Sequence, residues 1–338
     1  MRITASTIAW AEELVETPEE YAPELDKLPD CFQWRHTLIQ VTTSLRDASV
    51  LDMPPPHGVL FFGPPGNGKH TLARAYISTI WNWRQLRPEL VPLFRFDASQ
   101  FPEGLDLQEA LDRIDTVFDV ISHPKRYDFC DDAEFGIILF DQMERYAHAD
   151  ALAYSIAQWT LDLCDNAAVI CITEDESIIP SDLRRALLPC RCSNPGPRLR
   201  QQILKWGLKW ETPAEHRRVN LKLEGITVDD LVQRTDGLNC AGLHDLVMML
   251  RLEGLTKILT ADKPYVNVPL KEDVVLNALE LQERRAAPTA AAPTVIQTVA
   301  VPAGGGGLPQ FGAAPGLKKN LDSMTSDEYL IHRTGNQI

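Results

Sequence analysis

The chain contains, directly after a short apolar segment, the run Gly63-Pro64-Pro65-Gly66-Asn67-Gly68-Lys69, which fits a phosphate-binding loop at every required position. Residues 58–62 before it are a predicted buried strand, and residues 71–76 after it are the predicted start of a helix. Glycines let backbone N–H groups converge on phosphate oxygens, and a helix N-terminus adds the positive end of its dipole. Lys69 supplies a positive charge to the β- and γ-phosphates. The run therefore predicts binding of a nucleoside triphosphate.

The residue after the loop lysine departs from this pattern. Position 70 normally carries a Ser or Thr hydroxyl that ligates Mg²⁺, and this chain has His70 there. Thr71 cannot take over, because the next residue along a helix points about 100° away. Since Mg²⁺ prefers oxygen ligands to imidazole, we expect the loop to bind phosphates with a weakened hold on Mg²⁺.

A second motif lies further along the chain, where the apolar residues 136–140 end in Asp141. A buried strand that ends in an acid places the carboxylate at the carboxyl edge of a parallel sheet, where ligands of open α/β sheets bind. Asp141 is therefore the predicted ligand of Mg²⁺, through a bound water. An apolar strand followed by Asp is a weak signal alone, and it gains weight because a phosphate-binding loop precedes it.

Composition limits the classes of protein to consider. The 338 residues are 44% hydrophobic and 24% charged, which is typical of a globular chain with room for two domains and a tail. A net charge of −14 disfavours a nucleic-acid scaffold, and no apolar run approaches the about 20 residues of a membrane span. The start of the chain lacks a signal-peptide pattern. Scattered cysteines indicate reduced thiols and a cytoplasmic protein, and Cys190 with Cys192 lacks nearby partners for a zinc site.

The chain divides into five predicted parts. Residues 31–197 alternate apolar strands with amphipathic helices, which predicts an α/β domain with a parallel sheet covered by helices. The acidic residues 1–30 are interpreted as a solvated helix and loop, and residues 198–285 as a small all-α domain. Residues 286–317 are dominated by Ala, Pro and Gly and form a predicted flexible linker. Residues 318–338 regain apolar character and are either a docking peptide or a tail without a partner.

These motifs together resemble those of the AAA ATPases. Residues 55–69 look like the Walker A region of that family, and Asp141 stands where its Walker B aspartate stands. Residues 183–185 resemble the region of the arginine finger, and residues 235–243 are similar to the signature of the helical lid domain. The resemblance covers about residues 30–285.

The resemblance implies a ring, usually a hexamer, with ATP and Mg²⁺ bound between subunits. A neighbour's arginine would reach the γ-phosphate and stabilise the charge of the transition state. Arg184 and Arg185 are the candidates for this finger, with Arg191 in reserve, and the alternative is ordinary surface charge at a helix end. Phe101 lies close to the position of a pore-loop aromatic in threading members, and the alternative is packing beside a turn.

Three residues of the expected pocket depart from the family pattern. The catalytic glutamate falls at Gln142, whose amide can orient water but cannot accept its proton. Glu174 occupies about the position of a polar sensor of the γ-phosphate, from which a carboxylate is repelled. Together with His70, these departures predict reduced or absent hydrolysis. A glutamine at position 142 is also the change that an experimenter would choose to trap ATP, and that account explains neither His70 nor Glu174.

Three classes of function remain open. The first is an ATP-driven remodeller of proteins or complexes, and the second is a switch or a non-catalytic partner in a mixed ring, which binds nucleotide without useful turnover. The third, a DNA-handling protein, requires a basic inner surface, which the net charge of −14 disfavours.

Overall fold

The structure is a computed structural model, and it describes residues 3–16, 24–30, 32–46, 56, 58–83, 91–162, 167–211, 218–259 and 267–286. The first part of the chain forms a domain with a six-stranded sheet. Its helices are α1 (Ala5–Glu13), α2 (Arg35–Arg46), α3 (Lys69–Trp83), α4 (Leu107–Ser122), α5 (Ala149–Asp162) and α6 (Ser181–Ala186). Its strands are β1 (Val15–Glu16), β2 (Gly58–Phe62), β3 (Leu93–Phe96), β4 (Gly136–Phe140), β5 (Ala167–Thr173) and β6 (Leu188–Arg191).

The strand order of this sheet is β1-β3-β4-β5-β2-β6, and all neighbours are parallel except β1, which is antiparallel to β3. Every residue of β4 and β5 is buried, as expected for strands covered on both faces. Ile138 and Phe140 belong to a core with α1, α4 and α5, whereas Ile137 and Leu139 belong to a second core with α2 and α3. The predicted α/β domain with a parallel sheet between layers of helices is confirmed.

The order of the strands decides which loops can form a site. β2, β5 and β4 are neighbours and run parallel, so that the segments after their carboxyl ends meet at one edge of the sheet. These segments carry the glycine-rich run, Glu174 and Asp141.

The N-terminal segment differs from its interpretation as a solvated helix and loop. Ala11 in α1 is fully buried against the core that contains α4, and β1 extends the sheet by pairing with β3. Leu25 is also fully buried, and its N–H donates to Thr79 Oγ1 at 2.9 Å. Acidic residues such as Glu12 lie on the exposed face of α1. These charges made the segment look solvated in the sequence, although α1 has a narrow apolar face. The described parts of residues 1–30 therefore belong to the α/β domain.

We expect Ala11→Asp to destabilise the protein by about 3 kcal/mol, because a carboxylate at this position would be buried without a partner. The measurement is the free energy of unfolding in urea. Ala9→Asp is the matched control, since Ala9 lies on the exposed face of the same helix and should change stability little. Equal effects of the two substitutions would contradict the packing of α1 in the core.

The second part of the chain forms a smaller domain, called the lid below. Its helices are α7 (Pro197–Gly207), α8 (Val228–Arg234), α9 (Cys240–Leu259) and α10 (Glu272–Ala286). Its strands are β7 (Lys209–Glu211), β8 (Arg218–Glu224) and β9 (Asn267–Lys271). β8 pairs with β7 antiparallel and with β9 parallel.

The prediction of an all-α lid is therefore wrong. In β8, the buried Val219 and Leu221 alternate with the more exposed Asn220 and Lys222, which is the period of two that defines a half-buried strand. The alternation spans few residues between helical segments, and the whole stretch was therefore interpreted as helical. The first helix of the lid, α7, ends at Gly207, and Trp210 lies in β7.

The predicted linker and docking peptide, apart from Ala286, lie outside the described residues. Both interpretations of residues 318–338 therefore stay predictions. Among the helices of the described ranges, none combines the length and the apolar character that crossing a membrane requires.

Candidate functional site

The glycine-rich run forms a tight loop between the end of β2 and the start of α3. Gly63, Gly66 and Gly68 have φ angles of 127°, 73° and 81°, in the left-handed region that favours glycine. A Cβ atom at Gly63 would lie 2.4 Å from the carbonyl oxygen of Cys192. The loop therefore requires glycines for its shape, and it leaves a concave backbone surface at the N-terminus of α3, which fits a phosphate group.

Lys69 lies within this loop and is 3% exposed. Its Nζ atom donates to the carbonyl oxygens of Gly63 at 2.7 Å and Pro64 at 2.9 Å. A buried ammonium group needs such acceptors, because burial removes its hydration. The contacts keep the charge beside the concave surface, where phosphate oxygens would accept hydrogen bonds from it.

Asp141 follows β4 and is held by two nitrogen donors of the chain. Its Oδ1 atom lies 2.8 Å from Nε2 of His70, and its Oδ2 atom lies 3.4 Å from Nη2 of Arg95. Burial raises the pKa of Asp141, but the hydrogen bonds and charges of His70 and Arg95 outweigh burial and lower it overall. Asp141 is thus a buried carboxylate with both oxygens engaged. We call these three residues the His70–Asp141–Arg95 network.

The network does not fit Mg²⁺. This ion requires a nearly octahedral set of oxygens, and the chain offers an imidazole where a hydroxyl oxygen would be a ligand. The side chain of Asp141 is only 6% exposed, and each of its oxygens already has a nitrogen partner. In the described residues, no group of three or more His, Cys, Asp or Glu side chains is placed to hold a metal ion. The thiols of Cys190 and Cys192 are free and buried.

An open cavity of about 600 Å³ lies beside the loop. Gly63, Pro64 and Pro65 line one side of it. The acidic side chains Glu144, Glu174, Asp175 and Glu176 line it as well, together with Arg191. The predicted site residue Glu174 therefore lies at the cavity, as expected from its position after β5.

Sequence reasoning missed Glu144. Its Oε2 atom accepts hydrogen bonds from Thr173 Oγ1 at 2.8 Å and from the N–H of Glu174 at 3.1 Å. These bonds hold a carboxylate at the cavity, close along the chain to Gln142, where the family pattern expects one. Gln142 itself has a φ angle of 52° and is partly buried. The sequence did contain a signal for this residue, because a glutamate stands two residues beyond the position where the family has its catalytic glutamate.

The candidate arginine fingers lie on the surface of α6. Nη2 of Arg184 donates to the carbonyl oxygen of Glu176 at 2.9 Å, and Arg185 forms an ion pair with Asp182 at 2.8 Å. The cavity of the same chain is lined by Arg191 and by neither of these two. Their exposure leaves both available to a neighbouring molecule.

Phe101 has no access to a pore. It is 1% exposed and packs against Phe96 and Tyr146, with ring centroids 5.7 Å and 4.8 Å away. Packing beside a turn is therefore the correct interpretation of this aromatic residue.

The lid contacts the loop directly. The N–H of Ala241, in the first turn of α9, donates to the carbonyl oxygen of Gly66 at 3.0 Å, and Asn239 Nδ2 donates to that of Pro65 at 3.1 Å. Asn67 Nδ2 donates to Asn194 Oδ1 at 3.1 Å, in the segment between β6 and α7. Hydrogen bonds to backbone carbonyl groups therefore join the loop to the lid.

The fold and site define a class of protein. A glycine-rich loop between a central parallel strand and a helix, with an aspartate at the end of a nearby strand, is the arrangement of P-loop nucleoside triphosphatases. Residues 59–191 match the model of the AAA family, described as "ATPase family associated with various cellular activities". Residues 59–191 therefore form a domain of the AAA family, and the resemblance to that family is confirmed for this part of the chain.

Solved structures support the same fold. The structure titled "Crystal structure of FIGL-1 AAA domain in complex with ADP" is 17% identical, with a TM-score of 0.54, and the match covers 86% of this chain and 92% of that one. The structure titled "Structural Basis for Katanin Self-Assembly" is 16% identical, with a TM-score of 0.51 and coverage of 83% and 92%. No curated protein sequence matches the chain significantly.

Proposed function

We propose that the protein binds ATP at the loop between β2 and α3 and hydrolyses it weakly or not at all. The observation that carries this proposal is the glycine-rich loop with its buried lysine, and the resemblance to the family adds that Gln142 stands where a proton acceptor is expected. The loop and the buried Lys69 supply a phosphate cradle. Gln142 supplies an amide where a carboxylate would accept the proton of the attacking water. The solved FIGL-1 domain, which shares this fold, is a complex with ADP.

Nucleotide occupancy would then control the position of the lid. The hydrogen bonds from Ala241 and Asn239 join the lid to the loop backbone, so that phosphate binding biases the lid through the same groups. We further propose self-association in a ring, hexameric or mixed, in which Arg184 and Arg185 reach a neighbour's nucleotide. The self-assembly named in the katanin title supports this part by analogy.

In this proposal the ring either remodels proteins or complexes, or acts as a nucleotide-dependent switch that binds such partners without remodelling them. A partner that binds the C-terminal tail fits both roles. The net charge of −14 disfavours nucleic acid as the partner. We propose the cytoplasm as the location, since the cysteines among the described residues are free thiols.

Glu144 favours a second candidate function, an active ATP-driven remodeller. Its carboxylate lines the cavity next to the loop and is held there by Thr173 and the backbone of Glu174. In this alternative Glu144 orients and deprotonates the attacking water in place of Gln142.

The test is ATP affinity measured together with ATP turnover over a range of protein concentrations. We expect binding with turnover at least about a hundredfold below the typical enzyme value of about 10 s⁻¹. Turnover that rises with concentration and is lost in Glu144→Gln would establish the second candidate instead. Absence of ATP binding at every concentration would contradict both candidates.

A further inference from the structure

The His70–Asp141–Arg95 network occupies the part of the site where a P-loop protein holds its divalent metal. Both oxygens of Asp141 point to nitrogen atoms, at 2.8 Å in His70 and at 3.4 Å in Arg95. Because the Asp141 side chain is 6% exposed, a hydrated ion has little access to these oxygens while the two contacts hold. The network is thus a closed set of contacts that competes with a metal.

The network also offsets a negative charge that a metal would otherwise offset. A bare carboxylate close to a triphosphate repels it, and a divalent ion normally offsets this repulsion. Here Arg95 offsets the charge of Asp141, and a guanidinium is always protonated in a protein. Lys69 adds a second positive charge within the loop. Glu16, 4.0 Å from Arg95, offsets part of the charge of Arg95.

The position of Arg95 is set by the fold itself. Arg95 is paired with Leu139 in the parallel register of β3 and β4, and Asp141 follows two residues after Leu139. The antiparallel strand β1 places Glu16 on the other side of the same guanidinium. The arrangement therefore depends on paired strands and not on a mobile loop.

We propose that the site binds the nucleoside triphosphate as the metal-free anion, with the His70–Asp141–Arg95 network in place of Mg²⁺. This inference rests on the proposed function, because it concerns the same loop. The ligand class is a polyphosphate anion without its divalent ion, and the recognising groups are the loop backbone and Lys69. Asp141 serves as a structural anchor for His70 and Arg95.

The experiment is calorimetric titration of the full chain with ATP, in EDTA and in excess Mg²⁺. We expect the two dissociation constants of the wild type to agree within twofold. In His70→Thr, which restores a hydroxyl ligand and frees one oxygen of Asp141, we expect Mg²⁺ to raise the affinity tenfold or more. His36→Thr is the matched control, since His36 is an exposed histidine of α2, and its binding should stay independent of Mg²⁺.

A second variant tests the charge of the network. Arg95→Gln should lower the affinity for ATP in EDTA at least tenfold, and Mg²⁺ should restore part of the loss. Mere structural damage would lower the affinity equally in both conditions, and that result would count against the inference.

The outcomes separate the inference from the proposed function. Wild-type affinity at least tenfold higher in Mg²⁺ than in EDTA would overturn metal-free binding and leave ATP binding intact. The same gain with Mn²⁺ or Zn²⁺, which accept imidazole ligands, would also overturn it in favour of a softer metal. No binding in any condition would overturn the proposed function itself.

Discussion

Replacement of Lys69 by methionine is expected to remove half or more of the stabilisation of the protein by ATP. The Nζ atom of Lys69 lies inside the loop, 2.7 Å from the carbonyl oxygen of Gly63, where phosphate oxygens would compete for its protons. Hydrogen bonds to charged groups contribute about 1.5–3 kcal/mol each. Loss of the hydrogen bond between Lys69 and a phosphate oxygen should therefore weaken ATP binding by about ten- to a hundredfold. Methionine keeps most of the apolar stem and removes the charge.

The measurement is the shift of the melting temperature with ATP concentration. A ligand at about 100 times its dissociation constant stabilises the native state by about 2.7 kcal/mol, and a tenfold or greater loss of affinity removes half of that gain or more. Lys27→Met is the control, because Lys27 is an exposed lysine paired only locally with Glu24. An unchanged ATP-dependent shift in Lys69→Met would contradict nucleotide binding at this loop.

The parts of the fold that the sequence predicted are those with a strong local pattern. Continuous apolar runs identified the central strands, and the glycine spacing identified the loop together with the strand before it and the helix after it. The three-stranded sheet of the lid was missed because β8 shows its alternation over few residues and pairs with β9, more than forty residues away in the chain (Leu221 with Val268). Such pairing has no local signal.

In the site, too, the residues in local motifs could be predicted from the sequence, and the residues brought in by distant strand pairing could not. His70 and Asp141 were identified from motif positions, and the replacement of an oxygen ligand by the imidazole of His70 was visible in the sequence. Arg95 was not, because it reaches Asp141 only through the pairing of β3 with β4. Glu144 was missed for a different reason. The family motif assigns the catalytic role to position 142, and the hydrogen bonds that hold Glu144 come from the end of β5, which is distant in sequence.

The substitution Gln142→Glu is expected to raise ATP turnover at least tenfold. A positioned general base contributes about 10²–10⁴ to a rate, and the smaller expected gain reflects His70 and Glu174, which remain unfavourable. Glutamate matches glutamine in shape, and the backbone at this position, with a φ angle of 52°, would be equally strained with either residue. The change therefore adds a proton acceptor with little other disturbance. The measurement is steady-state phosphate release at saturating ATP.

Glu144→Gln is the matched variant, because it removes a carboxylate from the same cavity with equal conservation of shape. If position 142 limits hydrolysis, Gln142→Glu gains activity and Glu144→Gln changes little. If Glu144 already serves as the base, the two variants have the opposite effects. Glu144→Gln then loses the turnover that the wild type has, and Gln142→Glu adds little to it. A gain to the full rate of about 10 s⁻¹ would favour the account in which glutamine was introduced to trap ATP. No gain, even with His70→Thr added, would mean that Glu174 and the acidic lining of the cavity prevent productive binding of the γ-phosphate.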